Sequence, residues 1–233
     1  MMSGKRLVVL SGAGMSAESG LKTFREMGGL WESHDVTEVA TPEAWKRNPG
    51  LVMRFYNERR KALLEAVPNR GHNHLAALER HFDVRIVTQN VDDLHERAGS
   101  SHVMHLHGEL RKARSSVDSS LVYEIDGWEL KMGDLCTKGS QLRPHIVWFG
   151  EPVPNIQDGI REAEKADIFV VIGTSMQVYP AASLIYYVPD HVPVFVIDPN
   201  EVQLHEDHRI KVIKMKAGDG IAELARRLGV ELN

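Results

Sequence analysis

Four short apolar runs constrain this chain more than anything else in it: residues 6–10, 84–88, 168–172 and 192–197. Each is continuous rather than alternating, the pattern of strands covered on both faces in a parallel sheet. Helical patterns lie between them, at residues 51–66 (Leu51, Phe55 and Leu63 near one face), 74–81 (Leu75 and Leu78), 156–166 and 221–228. Gly71 and Asn73 are expected to punctuate the start of the second pattern, and Gly218-Asp219-Gly220 to precede the last. Strands alternating with helices indicate an α/β fold, a Rossmann-like, doubly wound parallel sheet. Residues 24–71 and 109–144 break the rhythm. The first is too long and too helical for a simple crossover, and the second carries a Ser-rich patch and a polar stretch. They are expected to form a smaller domain from two insertions.

With 233 residues the chain can bury a core without staples. Lys and Arg total 28 against 32 Asp and Glu, which argues against electrostatically driven nucleic-acid binding. No apolar run approaches the ~20 residues that span a bilayer, and the first run is too short for a signal segment. A single cysteine, Cys136, excludes an internal disulfide framework and any zinc site built from several thiolates. The expectation is a cytoplasmic protein with no membrane partner, acting as a monomer.

The first strand runs into Ser11-Gly12-Ala13-Gly14-Met15-Ser16-Ala17-Glu18. Gly12, Gly14 and Ala17 satisfy G-x-G-x-x-G/A spacing, which lets backbone amides and a helix N-terminus meet a pyrophosphate; a plain strand–helix turn reads equally well. No acid ends a second strand about 20 residues later, as a hydride-transferring Rossmann enzyme would have it. Asp198, followed by Pro199 and Asn200, ends a late strand instead, and Gly173-Thr174-Ser175 follows another. Gln89, Asn90, Val91 and Asp92 come directly after a buried strand and offer amides and a carboxylate to a ribose or carboxamide. His105 and His107, at strand spacing, read as a metal pair, as structural residues, or, for His107 beside a flexible glycine, as a general base. His72-Asn73-His74 spells a nuclease-like tripeptide with no supporting metal motif, and is read as chance.

Six elements in order resemble the sirtuins, NAD-dependent protein lysine deacylases: Gly12-Ala13-Gly14-Met15-Ser16, Thr23-Phe24-Arg25, Thr88-Gln89-Asn90-Val91-Asp92, His105-Leu106-His107-Gly108, Val147-Trp148-Phe149-Gly150-Glu151 and Gly173-Thr174-Ser175. The resemblance implies a large domain from about residues 1–24, 72–108 and 145–233, with insertions at about 25–71 and 109–144. It implies NAD consumed as co-substrate and acyl-lysine proteins or peptides as partners. Residues 12–31, including Glu18, Thr23, Phe24, Arg25 and Trp31, then form the phosphate loop and the segment over the nicotinamide end. Gln89, Asn90, Val91 and Asp92 meet the nicotinamide riboside, while Gly173, Thr174, Ser175, Asp198, Pro199, Asn200 and Ala217 meet the adenosine side. Phe149-Gly150-Glu151 and the stretch containing Val178 and Tyr179 are the edges between which a peptide adds as a strand. His107 is the implied catalytic base.

Two departures matter. The family's usual two C-x-x-C pairs are absent, so no zinc is expected. The smaller domain is expected to rest on apolar contacts among Leu121, Val122, Ile125, Trp128 and Leu135. Thr23, where many members have Asp, resembles a branch with a Tyr-x-x-Arg signature, supplied by Tyr56-Asn57-Glu58-Arg59. That branch includes enzymes active on succinyl- and malonyl-lysine, whose carboxylate an arginine and a phenol can bind. The plain alternative makes Arg59 a solvated charge like its neighbour Arg60. An ADP-ribosyltransferase and a non-catalytic NAD or ADP-ribose sensor are the rival readings.

Overall fold

All four apolar runs become strands of one sheet. In the computed structural model, which describes residues 4–22, 30–31, 34–202 and 208–232, these are β1 (Arg6–Ser11), β4 (Asp83–Thr88), β9 (Ile168–Ile172) and β10 (Val194–Ile197). With β5 (Val103–His105) and β11 (Ile210–Ile213) they lie in the order β11-β10-β9-β1-β4-β5. Each neighbouring pair is parallel. The register is level at one end: Ser11 faces Thr88 and Ile172, Ile172 faces Ile197, and Thr88 faces His105. Strand order reverses between β1 and β9, so a ligand crevice is expected outside their C-terminal ends.

Alternate residues of β1 feed two cores. Leu7 and Val9 pack under α4 (Arg70–Leu78) and α7 (Ala217–Arg227). Val8 and Leu10 pack under α6 (Ile156–Glu164) and the 3-10 segment Ala181–Tyr187. The glycines expected to mark helix starts lie inside the helices. Asn69 caps α4, its Oδ1 accepting the Gly71 and His72 amides. Gly220 is there because α7 sits so close to the sheet: a Cβ would stand 2.2 Å from Cγ2 of Ile197.

Outside this sheet, β2 (Leu30–Trp31) pairs with β3 (His34–Asp35), followed by α1 (Val36–Val39), α2 (Pro42–Arg47) and α3 (Pro49–Glu65). On α3, Phe55 and Leu63 are buried as expected. A separate antiparallel sheet has the order β7-β6-β8, from β6 (Gly108–Ser115), β7 (Val122–Glu124) and β8 (Leu142–Ile146). Its core joins Met53, Ala113, Ile125, Leu130, Cys136 and Leu142, with Leu121 at the edge. Val122, Trp128 and Leu135, expected inside, are exposed, since β7 is an edge strand and the loop behind it is tied by polar groups. Arg60 is fully buried, not solvated. It donates to the carbonyls of Leu110 and Trp128 and to Oδ1 of Asn57, which in turn exchanges two hydrogen bonds with the Leu130 backbone. Burial draws its pKa down to about 10. Among the described residues no helix is long and apolar enough to cross a membrane.

Gly220→Ala is expected to destabilise the fold by about 1–3 kcal/mol by overpacking against Ile197, outweighing the roughly 1 kcal/mol that alanine gains in a helix. Gly218→Ala, whose Cβ would meet only the Arg70 side chain at 3.3 Å, is expected to be near neutral. Thermal melts of the two variants check the contrast.

Candidate active site

Level strand ends bring the predicted segments together. Residues 12–16, 89–92, 173–175 and 198–200 leave β1, β4, β9 and β10 at the same end of the sheet. The segment after β1 forms two short 3-10 turns, Ala13–Met15 and Ala17–Ser19, rather than the expected α-helix. It therefore places no long helix dipole at the strand end, and the amides of residues 12, 14, 15 and 16 are taken up by carbonyls of the protein itself. The Gly12 amide donates to Ile172 O and the Gly14 amide to Gly173 O. A Cβ on Gly12 would stand 2.6 Å from Thr174 Cβ, and Gly173, at φ +61°, would drive one to 2.3 Å from Met15 N. Only glycine lets these two loops touch.

Thr174 Oγ1 accepts from Gln89 Nε2 at 3.2 Å and from the Met176 amide, and Ser175 is half-buried beside it. Asp198 is buried at the end of β10 and accepts the Asn200 amide, while Pro199 and Asn200 are exposed. Ala13 and Glu18 are also exposed. Glu18 accepts the Gly218 amide at the start of α7, next to buried Ala217. Thr23, Phe24 and Arg25 lie outside the described residues, and of Trp31 only the backbone, in β2, is described. The hydroxyls, side-chain amides and buried carboxylate at these strand ends include both the donors and the acceptors that a dinucleotide's riboses and carboxamide require.

Buried Ser16 is the hub of this set. Its hydroxyl donates to Asp92 Oδ2 at 2.9 Å and accepts from Asn90 Nδ2 at 3.2 Å. His72 Nε2 lies 3.4 Å away. The Asn69 amide donates to His72 Nδ1, so the His72 proton sits on Nε2 and points at Ser16. Asp92 also accepts the amide of Leu94, where α5 (Leu94–Arg97) begins, and burial raises its pKa. Val91 contributes its carbonyl, which accepts the Leu110 amide. Beneath, Ser11 donates to Thr88 Oγ1 at 2.8 Å and contacts His95 Nε2 at 3.1 Å, and the His72 and His95 rings meet edge to face. The tripeptide at residues 72–74 is thus no metal motif, yet His72 is part of the site. Neither it nor His95 carries a sequence signal, because α4 and α5 deliver them through tertiary packing.

The two histidines after β4 clasp the loop between them. His105 Nδ1 donates to Asn90 O and His107 Nδ1 to Gln89 O, at 2.9 and 3.1 Å. His105 Nε2 is engaged by Glu96 at 2.8 Å. Although burial opposes it, this carboxylate raises the His105 pKa. The metal-pair reading is overturned, and His105 is a salt-bridged structural residue. His107 has its proton fixed on Nδ1, leaving Nε2 as a base, and burial lowers its pKa so that it stays neutral. Gly108 is not a flexible joint: at φ +83° it lies against β8, where a Cβ would stand 2.0 Å from His145 O.

Tyr56 is buried on α3, and its oxygen accepts the Trp148 indole N–H at 3.1 Å. Burial pushes its pKa up, against the opposing pull of the Arg59 charge. Arg59 is half-buried, 5.6 Å from the Phe55 ring. Phe149 and Tyr179 are exposed, Gly150 is exposed at φ +89° and Val178 is half-buried. The Glu151 carboxylate faces inward: it accepts from Arg114, Arg143 and the Trp148 amide. Its expected role in peptide contact is therefore confined to the backbone.

The region that resembles the family's zinc module does not fit the metal. Its one thiol, Cys136, is buried in an apolar cluster, and among the described residues no group of three His, Cys, Asp or Glu side chains could hold an ion.

The neutral histidines make stability pH-dependent. Burial holds His72 at about 4, below the usual 6.5. Between those values the unfolded chain takes up a proton that the folded one refuses, so stability is complete above about pH 6.5 and is lost on acidification. His72 contributes roughly 3 kcal/mol of this loss across the window. Urea unfolding between pH 7.5 and 4.5 is expected to show a shallower pH dependence for His72→Gln than for the parent.

Residues 12–180 match the Sir2 family. An NAD-dependent protein deacylase of Bacteroides thetaiotaomicron is 56% identical over 229 residues, covering 96% of this chain and 98% of that protein. One from Helicobacter pylori is 51% identical over 226 residues, covering 96% and 97%. A solved Sir2 homolog–NAD complex superposes with a TM-score of 0.87 at 41% identity, covering 97% of this chain and 90% of that one. With a family match across most of its length and relatives of this identity, the chain belongs to the Sir2 family.

Proposed function

We propose that this protein removes acyl groups from protein lysines at the expense of NAD, and that its acyl pocket accepts acidic groups such as succinyl and malonyl as well as acetyl. The observation that carries the reading is the His107 imidazole, its proton fixed by the carbonyl of Gln89, the residue that leads into the Asn90–Asp92 loop hydrogen-bonded to Ser16. The relatives' names and the NAD-bound neighbour support the same chemistry. The antiparallel sheet with α1–α3 serves as the smaller domain, close to residues 25–71 and 109–144.

The acyl oxygen of the modified lysine bonds to the ribose anomeric carbon as the nicotinamide bond breaks. His107 Nε2 takes a proton from a ribose hydroxyl, whose oxygen then closes onto the acyl carbon. Water enters, lysine leaves with the proton, and O-acyl-ADP-ribose is the second product. Gln89, Asn90 and Asp92 orient the riboside, and Gly12, Gly14 and Thr174 hold the diphosphate and adenosine portions. The peptide adds between Phe149-Gly150 and Val178-Tyr179 as a strand. Tyr56 and Arg59 meet the distal carboxylate of an acidic acyl group.

His107→Ala is expected to lower turnover by about 10²–10⁴-fold while retaining NAD binding, and His105→Ala to cost far less. Nicotinamide release and titration calorimetry with NAD check both; near-normal turnover without His107 would remove the assignment. Arg59→Met is expected to lose on the order of 10–100-fold in kcat/KM on succinyl peptides while keeping acetyl activity. Mass spectrometry of acetyl, malonyl and succinyl peptides with NAD reads this. Equal loss on all three would make Arg59 structural, and ADP-ribose found on the peptide would favour the transferase.

A further inference from the structure

Behind Tyr56 lies a cluster that the reaction as described does not use. Trp148 is buried between β8 and the Phe149-Gly150 edge. The Arg143 guanidinium lies 3.3 Å from the centroid of its ring, and Trp45 packs at 5.9 Å. Glu151 gathers the rest. It accepts from Arg143 at 2.7 and 3.0 Å, from Arg114 at 3.0 and 3.1 Å, and from the Trp148 amide at 2.8 Å. Both arginines stand on the antiparallel sheet, Arg114 on β6 and Arg143 on β8. The ring is therefore fixed by stacking on one face and by its own backbone. A fixed indole has a fixed N–H, and this one points at the Tyr56 oxygen at 3.1 Å.

An indole nitrogen only donates. A phenol oxygen that accepts it must direct its own proton elsewhere. Burial also keeps the Tyr56 phenol protonated across the working pH range, so its hydroxyl has a proton to give. We propose that Trp148 is a positioning residue for acyl selectivity: its N–H, held by the Arg143–Glu151–Arg114 cluster, occupies the Tyr56 oxygen and leaves the hydroxyl proton for the acyl carboxylate. This rests on the reading of Tyr56 and Arg59 as the acidic-acyl pocket. It makes the small sheet, through two arginines, part of the selectivity apparatus.

Trp148→Phe tests it, because phenylalanine keeps an aromatic ring for Arg143 to stack on and removes the N–H along with part of the indole, a packing loss that both substrates would feel alike. The ratio of succinyl to acetyl kcat/KM is expected to fall about 3- to 10-fold, the range of one hydrogen bond, with the change in KM for the succinyl peptide rather than in kcat. Tyr56→Phe is expected to lower the same ratio, and to add little in the Trp148→Phe background, since the two act as a unit. If Trp148→Phe fails to fold, Arg143→Gln, which keeps the indole but frees its face, is expected to shift the ratio in the same direction. A fall in both substrates alike would overturn the proposal and leave Trp148 a packing residue. An unchanged ratio in Trp148→Phe, alongside a reduced one in Tyr56→Phe or Arg59→Met, would overturn it while the pocket reading stands. An unchanged ratio in all of these variants would remove both.

Discussion

The contact between two glycine loops at the reversal of strand order is what the rest of the site depends on. The amides of Gly12 and Gly14 reach the carbonyls of Ile172 and Gly173, at a separation that leaves no room for a Cβ on Gly12, Gly14 or Gly173. Because the parallel register is level, sewing β1 to β9 at this point also sets the depth at which Gln89 and Asp198 emerge from the flanking strands. The segment after β1 is two short 3-10 turns, so these loops carry no long helix dipole. They place the hydroxyls of Ser16, Thr174 and Ser175 on a floor made rigid by the sheet.

Below that floor the molecule buries Ser11, Thr88, Ser16, Asn90, Asp92, His72 and His95. Leaving such groups without partners in a low-dielectric interior costs roughly 1–3 kcal/mol each, so their mutual hydrogen bonds matter more through what they prevent than through what they add. The network also assigns protons. Asn69 fixes the His72 tautomer, Gln89 fixes that of His107, and Glu96 engages the one imidazole whose pKa is raised, His105. Three histidines thus sit in three environments: one donates to Ser16, one has its proton held by Gln89 O and its pKa lowered by burial, and one is bonded to Glu96, which raises its pKa.

The small antiparallel sheet has no thiolate cluster to organise it. It is joined to α3 by a few apolar side chains around Met53 and by the buried Arg60–Asn57 clamp, which satisfies carbonyls of a loop that has few ladder partners. Arg114 and Arg143 then tie the same sheet to Glu151 and the Phe149-Gly150 segment before it. Charged groups buried this way are costly unless paired. Here they are paired across elements, so they fix relative placement rather than merely add stability.

Much of this was legible in the amino-acid order. Continuous apolar runs declare strands covered on both faces, and the segments after them, Gly12–Ser16, Gln89–Asp92 and Gly173–Ser175, are polar or glycine-rich because the chain must turn there and the loops from neighbouring strands meet closely. Other features were not. Gly71 and Gly220 read as helix punctuation, yet they serve helix packing, since backbone proximity has no local signature. Arg60 reads like Arg59 on the same helix, and only the loop carrying Trp128 and Leu130 makes one a buried clamp and the other half-exposed. Glu151 reads as part of a peptide edge, but two arginines from a different sheet claim its carboxylate. Local order set the strands and the loops that follow them. Which polar side chains meet, and which histidine keeps a free nitrogen, was decided by tertiary packing, because those pairings join residues far apart in sequence whose partners exist only once the sheets and helices are in place.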